Sequence, residues 1–197
     1  APYDFITHQQ QLVSSKGRIL GLMGPKEEDL TYQNLLLTEN TIATSSVLIR
    51  REFLQTHSLS FNESERYAAV EDYDLWLRVL VAGGRPGAID EVLGANIEAA
   101  DHMGVPDLFF KNLHHLYKDH AWKVQGFTHN RNKLERRLFA GIALRMAMIN
   151  VRQRKALKAA FLLGKAFCLS SSQMYRYAAI RFRQRRTRRK QNRIDPK

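Results

Sequence analysis

The stretch Glu71-Asp72-Tyr73-Asp74-Leu75-Trp76-Leu77-Arg78-Val79-Leu80-Val81-Ala82-Gly83-Gly84 decides how this chain is read. Leu75, Trp76, Val79, Leu80 and Ala82 cover one broad apolar face at helical spacing, and the glycine pair ends the run. A helix is therefore predicted from Glu71 to Ala82, with acidic residues at its start, where they suit the positive end of the helix dipole. Immediately before it, Leu59 to Ala69 is an irregular polar stretch that carries Phe61, Asn62, Glu63 and Ser64. Immediately after it, Ala88 to Leu93 reads as a short strand.

Further toward the N-terminus, Ser45 to Ile49 is a β-type run, and Arg50 to His57 suits one or two helical turns. Asp29 to Leu37 has Leu30, Gln33, Asn34 and Leu37 at helical spacing, with Glu27, Glu28 and Asp29 at the start. Tyr3 to Val13 alternates loosely, Ser14 to Gly17 reads as a turn, and Arg18 to Met23 as a returning strand, so the chain is predicted to open on a hairpin. From Val105 onward the pattern is helical: Asp107 to His120, Asn132 to Asn150, Arg154 to Leu169, and Gln173 to Lys190 after a break at Ser170 to Ser172. The predicted class is α/β, a partial mixed sheet with flanking helices over residues 1–103. An all-helical basic extension follows over residues 104–197.

The chain has 197 residues and 44% apolar content, enough for a domain with its own core plus an extension. No run of eighteen uncharged apolar residues exists. The best candidate, Ala156 to Leu169, is interrupted by Lys158 and Lys165, so no membrane-spanning helix is expected. No signal peptide is expected either, because no basic patch precedes an apolar core at the N-terminus. The single cysteine, Cys168, forms no internal disulfide and fits a reducing, cytoplasmic setting. The net charge of +12 is divided unevenly, −6 over residues 1–100 and +18 over residues 101–197. Such asymmetry points to an acidic scaffold joined to a part that meets anions.

Taken in order, three landmarks resemble those of family 2 glycosyltransferases. Asn40, Thr44, Ser45, Ser46 and Val47 to Arg51 resemble the segment leading into a strand under the acceptor site. Phe61, Asn62 and Glu63 resemble the Phe-Asp-Glu loop, and Glu71 to Arg78 resembles the Glu-Asp-x-Asp-x-x-x-Arg helix start of these enzymes. The hairpin and the strand ending at Leu93 fit the same order, so the resemblance covers residues 1–93. It implies a GT-A-type fold and an inverting transfer of a sugar from a nucleotide sugar to a hydroxyl of a glycan or lipid-linked acceptor. It also implies a divalent cation, manganese or magnesium, held by an Asp-x-Asp motif in a nucleotide-binding half. No such motif precedes Tyr3, so the chain is expected to be the acceptor-side portion, binding nucleotide sugar poorly or not at all by itself. The family's late histidine, which touches the metal or diphosphate and usually stands in a Tyr-Arg-x-His pattern, has a displaced candidate counterpart in His102, without the arginine; the plainer reading is a surface loop histidine.

Within this resemblance Asp72 is the candidate catalytic base, taking the proton of the attacking hydroxyl. The helix dipole is expected to keep it ionised; the plainer reading is that Glu71 and Asp72 cap the helix. Glu71, Ser45, Ser46 and Trp76 are candidates to line the acceptor pocket, though Trp76 better suits the core beneath it and the serines equally suit a strand entry. Asp74 and Arg78 read as an ordinary exposed i,i+4 pair. His114, His115 and His120 do not complete a metal-ligand set.

Nine cations fall between Arg176 and Arg193, interleaved with Tyr177 and Phe182. Arg181, Arg183, Arg185, Arg186, Arg188 and Arg189 are candidates to bind membrane phosphates, placing the protein at the inner face of a membrane. Nucleic acid and a merely solvated tail are the other readings of the same residues. The alternative to a transferase is accordingly a non-catalytic module that binds a membrane or nucleic acid through this tail.

Overall fold

The computed structural model describes residues 2–38, 40–98, 106–126 and 130–175. Strand β1 (Phe5–Ser14) is the centre of a four-stranded mixed sheet. Ser14 to Gly17 forms the predicted turn, with Gly17 at φ 75°. The chain returns as β2 (Ile19–Met23), antiparallel, with Gln10 opposite Met23. The opening hairpin is therefore as the sequence predicts. Strand β3 (Val47–Ile49) is also antiparallel to β1, pairing Phe5 with Ile49 and Thr7 with Val47. Strand β4 (Pro86–Glu98) runs parallel to β1 along its whole length, from Phe5 opposite Pro86 to Ser14 opposite Glu98. With β4 filling one edge, β2 and β3 share the other.

The start of the sheet is tied by Asp4. Its carboxylate accepts from Arg85 Nε at 3.0 Å and lies 3.7 Å from Arg50 Nε, while its backbone pairs with Arg85 and Arg50. One residue thus joins the first residues of β1 to the end of β3 and the entry of β4.

Between β1 and β4 the chain makes the crossover that parallel pairing requires. Glu27–Asp29 forms a separate 3-10 turn, and helix α1 (Tyr32–Leu37) starts later than the sequence predicts. Thr31 is its N-cap, its hydroxyl accepting from the Asn34 N–H. Thr44–Ser46 is a 3-10 turn, so Ser45 and Ser46 are not strand as predicted; β3 and α2 (Arg51–Thr56) follow. Helix α3 (Glu71–Val81) forms as predicted and is the main core element: Tyr73, Asp74, Leu75, Trp76, Leu77 and Val79 are all buried. It ends at the glycine pair. Gly83 has φ 84°, and a Cβ on Gly84 would stand 2.7 Å from Val79 Cγ1, so both positions need glycine, for different reasons.

Helix α4 (Pro106–Asp119) continues into a π-helical turn, His120–Val124, and buries Leu113, Leu116, Tyr117 and Ala121. Asn112 donates to the carbonyls of Glu65 and Ala68, both at 2.9 Å, which joins α4 to the turn before α3. The first compact unit runs to Phe127 and so takes in α4, past the boundary at 103 expected from the sequence.

The second unit, Thr128–Lys197, holds α5 (Arg131–Arg152) and α6 (Ala156–Leu169), and residues 171–175 are again helical. Asn130 caps α5 by accepting from the Lys133 N–H. Ala166 of α6 packs with Ala143 and Leu144 of α5, and Met174 covers the cluster. Among the described residues no helix is long and apolar enough to cross a membrane.

Candidate active site

Asp72 lies in the first turn of α3, half-buried. Its two oxygens have different duties. Oδ1 accepts from the Tyr73 N–H at 2.6 Å, satisfying one of the open amides of the helix start. Oδ2 accepts from the hydroxyl of Thr44 at 2.7 Å, which reaches over from the 3-10 turn before β3. Asp72 is not the N-cap; that position is Val70, with no side-chain hydrogen bond. Burial pushes the Asp72 carboxyl above its ordinary range and the adjacent Glu71 charge adds to this, while the bonds from Thr44 and Tyr73 oppose it. The sequence predicts that the helix dipole keeps Asp72 ionised and holds its basicity down; burial acts in the opposite direction.

Around Asp72 the other candidates separate. Ser45 is exposed, and its hydroxyl accepts from Gln10 Nε2 at 3.0 Å. Gln10 is 3% exposed, and its carbonyl oxygen is buried without a hydrogen-bond partner. Gly94 of β4 lies close by, since a Cβ there would stand 3.3 Å from Gln10 Nε2. Glu71 is half-buried, and its Oε2 has no hydrogen-bond partner. Gln10 Oε1 and Glu71 Oε2 are thus buried acceptor atoms without donors, the first on the side chain that donates to Ser45 and the second on the residue next to Asp72. Gln10 was missed by the sequence reading because it sits in a run of three glutamines, of which only register identifies the inward one.

Two candidates belong to the scaffold instead. Ser46 is buried; its hydroxyl lies 2.9 Å from Thr7 Oγ1 and donates to the Ala43 carbonyl at 2.7 Å. Its role is to fix the turn that carries Thr44 and Ser45. Trp76 is 2% exposed, stacked on Phe5 at 5.6 Å with Phe61 edge-on at 6.2 Å. No ring face is left for a sugar, and the acceptor-binding expectation for Trp76 is corrected to a core role.

Behind the first turn of α3 lies a polar chain. Asp74 is buried, not an exposed partner of Arg78 as expected. Its Oδ2 accepts from Arg78 Nε at 2.7 Å and its Oδ1 lies 3.1 Å from His120 Nε2. His120 Nδ1 is 3.1 Å from the Tyr32 hydroxyl. A carboxylate only accepts, so His120 Nε2 carries a hydrogen, and in the neutral ring Nδ1 accepts from Tyr32. Burial pushes the Tyr32 phenol up, which keeps it a donor. Arg78 also donates to the Ser60 carbonyl at 2.6 Å. The chain binds α1, α3 and the π-helical turn together two residues from Asp72.

The other histidines are engaged separately: His114 Nδ1 lies 2.7 Å from its own helix's Phe110 carbonyl, and His115 Nδ1 is 3.4 Å from Arg66. Among the described residues no group of three or more His, Cys, Asp or Glu side chains is placed to hold a metal ion, so no chemical step is assigned to one. His102 lies outside the described residues, as do Arg181, Arg183, Arg185, Arg186, Arg188 and Arg189. Comparison with protein-family models, with curated proteins and with solved structures finds no match.

Proposed function

We propose that the first unit is the acceptor-side part of an inverting, nucleotide-sugar-dependent glycosyltransferase, with Asp72 as its base. The observation that carries this reading is the half-buried Asp72 carboxylate at the start of α3, held by the Thr44 hydroxyl at 2.7 Å. An acceptor hydroxyl would transfer its proton to Asp72 as its oxygen attacks the anomeric carbon, and the nucleoside diphosphate leaves on the opposite side. A base needs to be ionised yet hold its proton firmly once it arrives; a carboxyl raised above its ordinary range is better matched to that than a free surface one. Ser45 presents an exposed hydroxyl beside Gln10, placed to meet a further hydroxyl of a glycan.

The experiment is sugar transfer by Asp72→Asn in a chain extended at its N-terminus by a nucleotide-binding half. The expected result is a fall in kcat of about 10²–10⁴-fold, the usual share of a general base. Turnover equal to the unmodified protein contradicts the assignment.

A second reading, a non-catalytic anion-binding module, rests on the 20 Lys and Arg against 2 Asp and Glu in residues 128–197. It predicts that the same substitution leaves anion binding unchanged. Placement at the inner face of a membrane through the arginine-rich end is compatible with either reading.

A further inference from the structure

Helix α6 carries its apolar residues on two opposite faces, and among the described residues only one of them is buried. Ala159, Leu162 and Ala166 are buried. On the opposite side Leu157, Phe161, Gly164 and Cys168 follow one another at four-, three- and four-residue steps, a single row along the helix. Leu157 is 90% exposed and Phe161 71%, and Phe167 beside the row is 60% exposed. Lys158 and Lys165, seven apart, border this row on one side. Arg152, Arg154 and Lys155 lie exposed just before the helix, and the nine cations from Arg176 to Arg193 follow it in sequence. No acidic residue occurs between Glu135 and Asp195.

We infer that α6 is an interfacial membrane helix, which lies in the plane of an anionic bilayer with the Leu157–Phe161–Cys168 row among the upper acyl chains. Fourteen residues of helix measure roughly 21 Å, short of the hydrocarbon thickness, and two lysines divide them, so the helix lies flat rather than spanning. The bordering lysines reach headgroup phosphates from that depth, and the exposed Arg152, Arg154 and Lys155 just before the helix add to the same basic surface. Charge selects lipid over a second copy of the chain. An antiparallel face-to-face pair of α6 helices would bring Lys158 and Lys165 against their own copies, and a pair in either orientation would gather this basic stretch with no carboxylate in it to offset the charge. The inference stands apart from the sugar-transfer reading, because it uses no residue of the first unit.

The test uses the full chain with an environment-sensitive nitrobenzoxadiazole probe on Cys168, the single cysteine, which is exposed on the same row. Vesicles contain phosphatidylcholine alone, or three parts phosphatidylcholine to one part phosphatidylserine. With the anionic vesicles the probe is expected to brighten, shift to the blue and be quenched by lipids bearing shallow doxyl groups. Replacing Phe161 and Phe167 together by serine is expected to weaken vesicle binding by about tenfold or more, with the far-ultraviolet circular dichroism unchanged. Flotation with the probe still in water would assign binding to the arginine-rich end alone and overturn the inference. So would a blue shift that grows with protein concentration in the absence of lipid, the mark of a second copy. Failure to bind anionic vesicles at all, with or without retention on nucleic acid, would overturn it as well.

Discussion

The hydroxyl of Thr44 donates to Oδ2 of Asp72 at 2.7 Å, across 28 residues of sequence. It partly relieves a carboxylate that burial and Glu71 disfavour, but the Asp72 carboxyl still lies above its ordinary value. The folded state therefore binds this proton more tightly than the unfolded chain does. Stability falls as pH rises between the two values, and the cost is fully present at neutral pH. Asp72→Asn removes it while keeping the shape and one acceptor for the Tyr73 N–H. The variant is expected to be more stable than the parent at pH 7, by on the order of 1 kcal/mol. The gain should vanish below the ordinary carboxylate range. Thermal unfolding as a function of pH measures it, and a loss of stability at neutral pH would count against a carboxylate retained for chemistry at structural expense.

Asp4 behaves in the opposite way. The Arg85 guanidinium and backbone hold its carboxyl below the ordinary range, with a further contribution from the Arg50 charge. Its contribution is present above the unfolded-state value and is lost as pH falls through the lower folded one. Asp4→Asn is expected to flatten the acid limb of the stability–pH curve and to leave β1, β3 and β4 less firmly joined at neutral pH. Urea denaturation at pH 7 and at pH 3 checks this; an equal difference at both would refute it.

His120 bridges Tyr32 and Asp74 from a π-helical turn, and it is 1% exposed. His120→Ala leaves a cavity and removes one of the two partners of a buried carboxylate. A destabilisation of about 2–4 kcal/mol is expected, read as a lowered urea midpoint. Because the chain adjoins the turn carrying Asp72, Tyr32→Phe is the milder probe: about 1 kcal/mol for a lost hydrogen bond with the ring retained.

Elements built from local signals were legible in the sequence. The hairpin follows from the turn at Ser14–Gly17 between two apolar runs, and α3 from its apolar face and its glycine stop. Features set by distant partners were not. Trp76 could be placed on α3, but whether it faced a ligand or the core depended on Phe5 and Phe61. Strand β4 extends to Glu98 because parallel pairing with β1 carries it through Gly94, Ala95 and Asn96, which have weak strand preference of their own. The i,i+4 spacing of Asp74 and Arg78 was visible, but burial of Asp74 depends on His120, 46 residues away. Of the site, Asp72 and the Thr44–Ser46 turn were found through the resemblance to glycosyltransferases, and Gln10 only through the register of β1.

The assignment of Asp72 as base is tested most directly by the pH dependence of kcat/KM for sugar transfer in the extended chain, compared with Thr44→Val. The Thr44 bond lowers the Asp72 value, so removing it raises that value, and the acid limb should move to higher pH with the plateau little changed. An acid limb that stays in place, in a variant whose fold is intact, would mean that another group takes the proton.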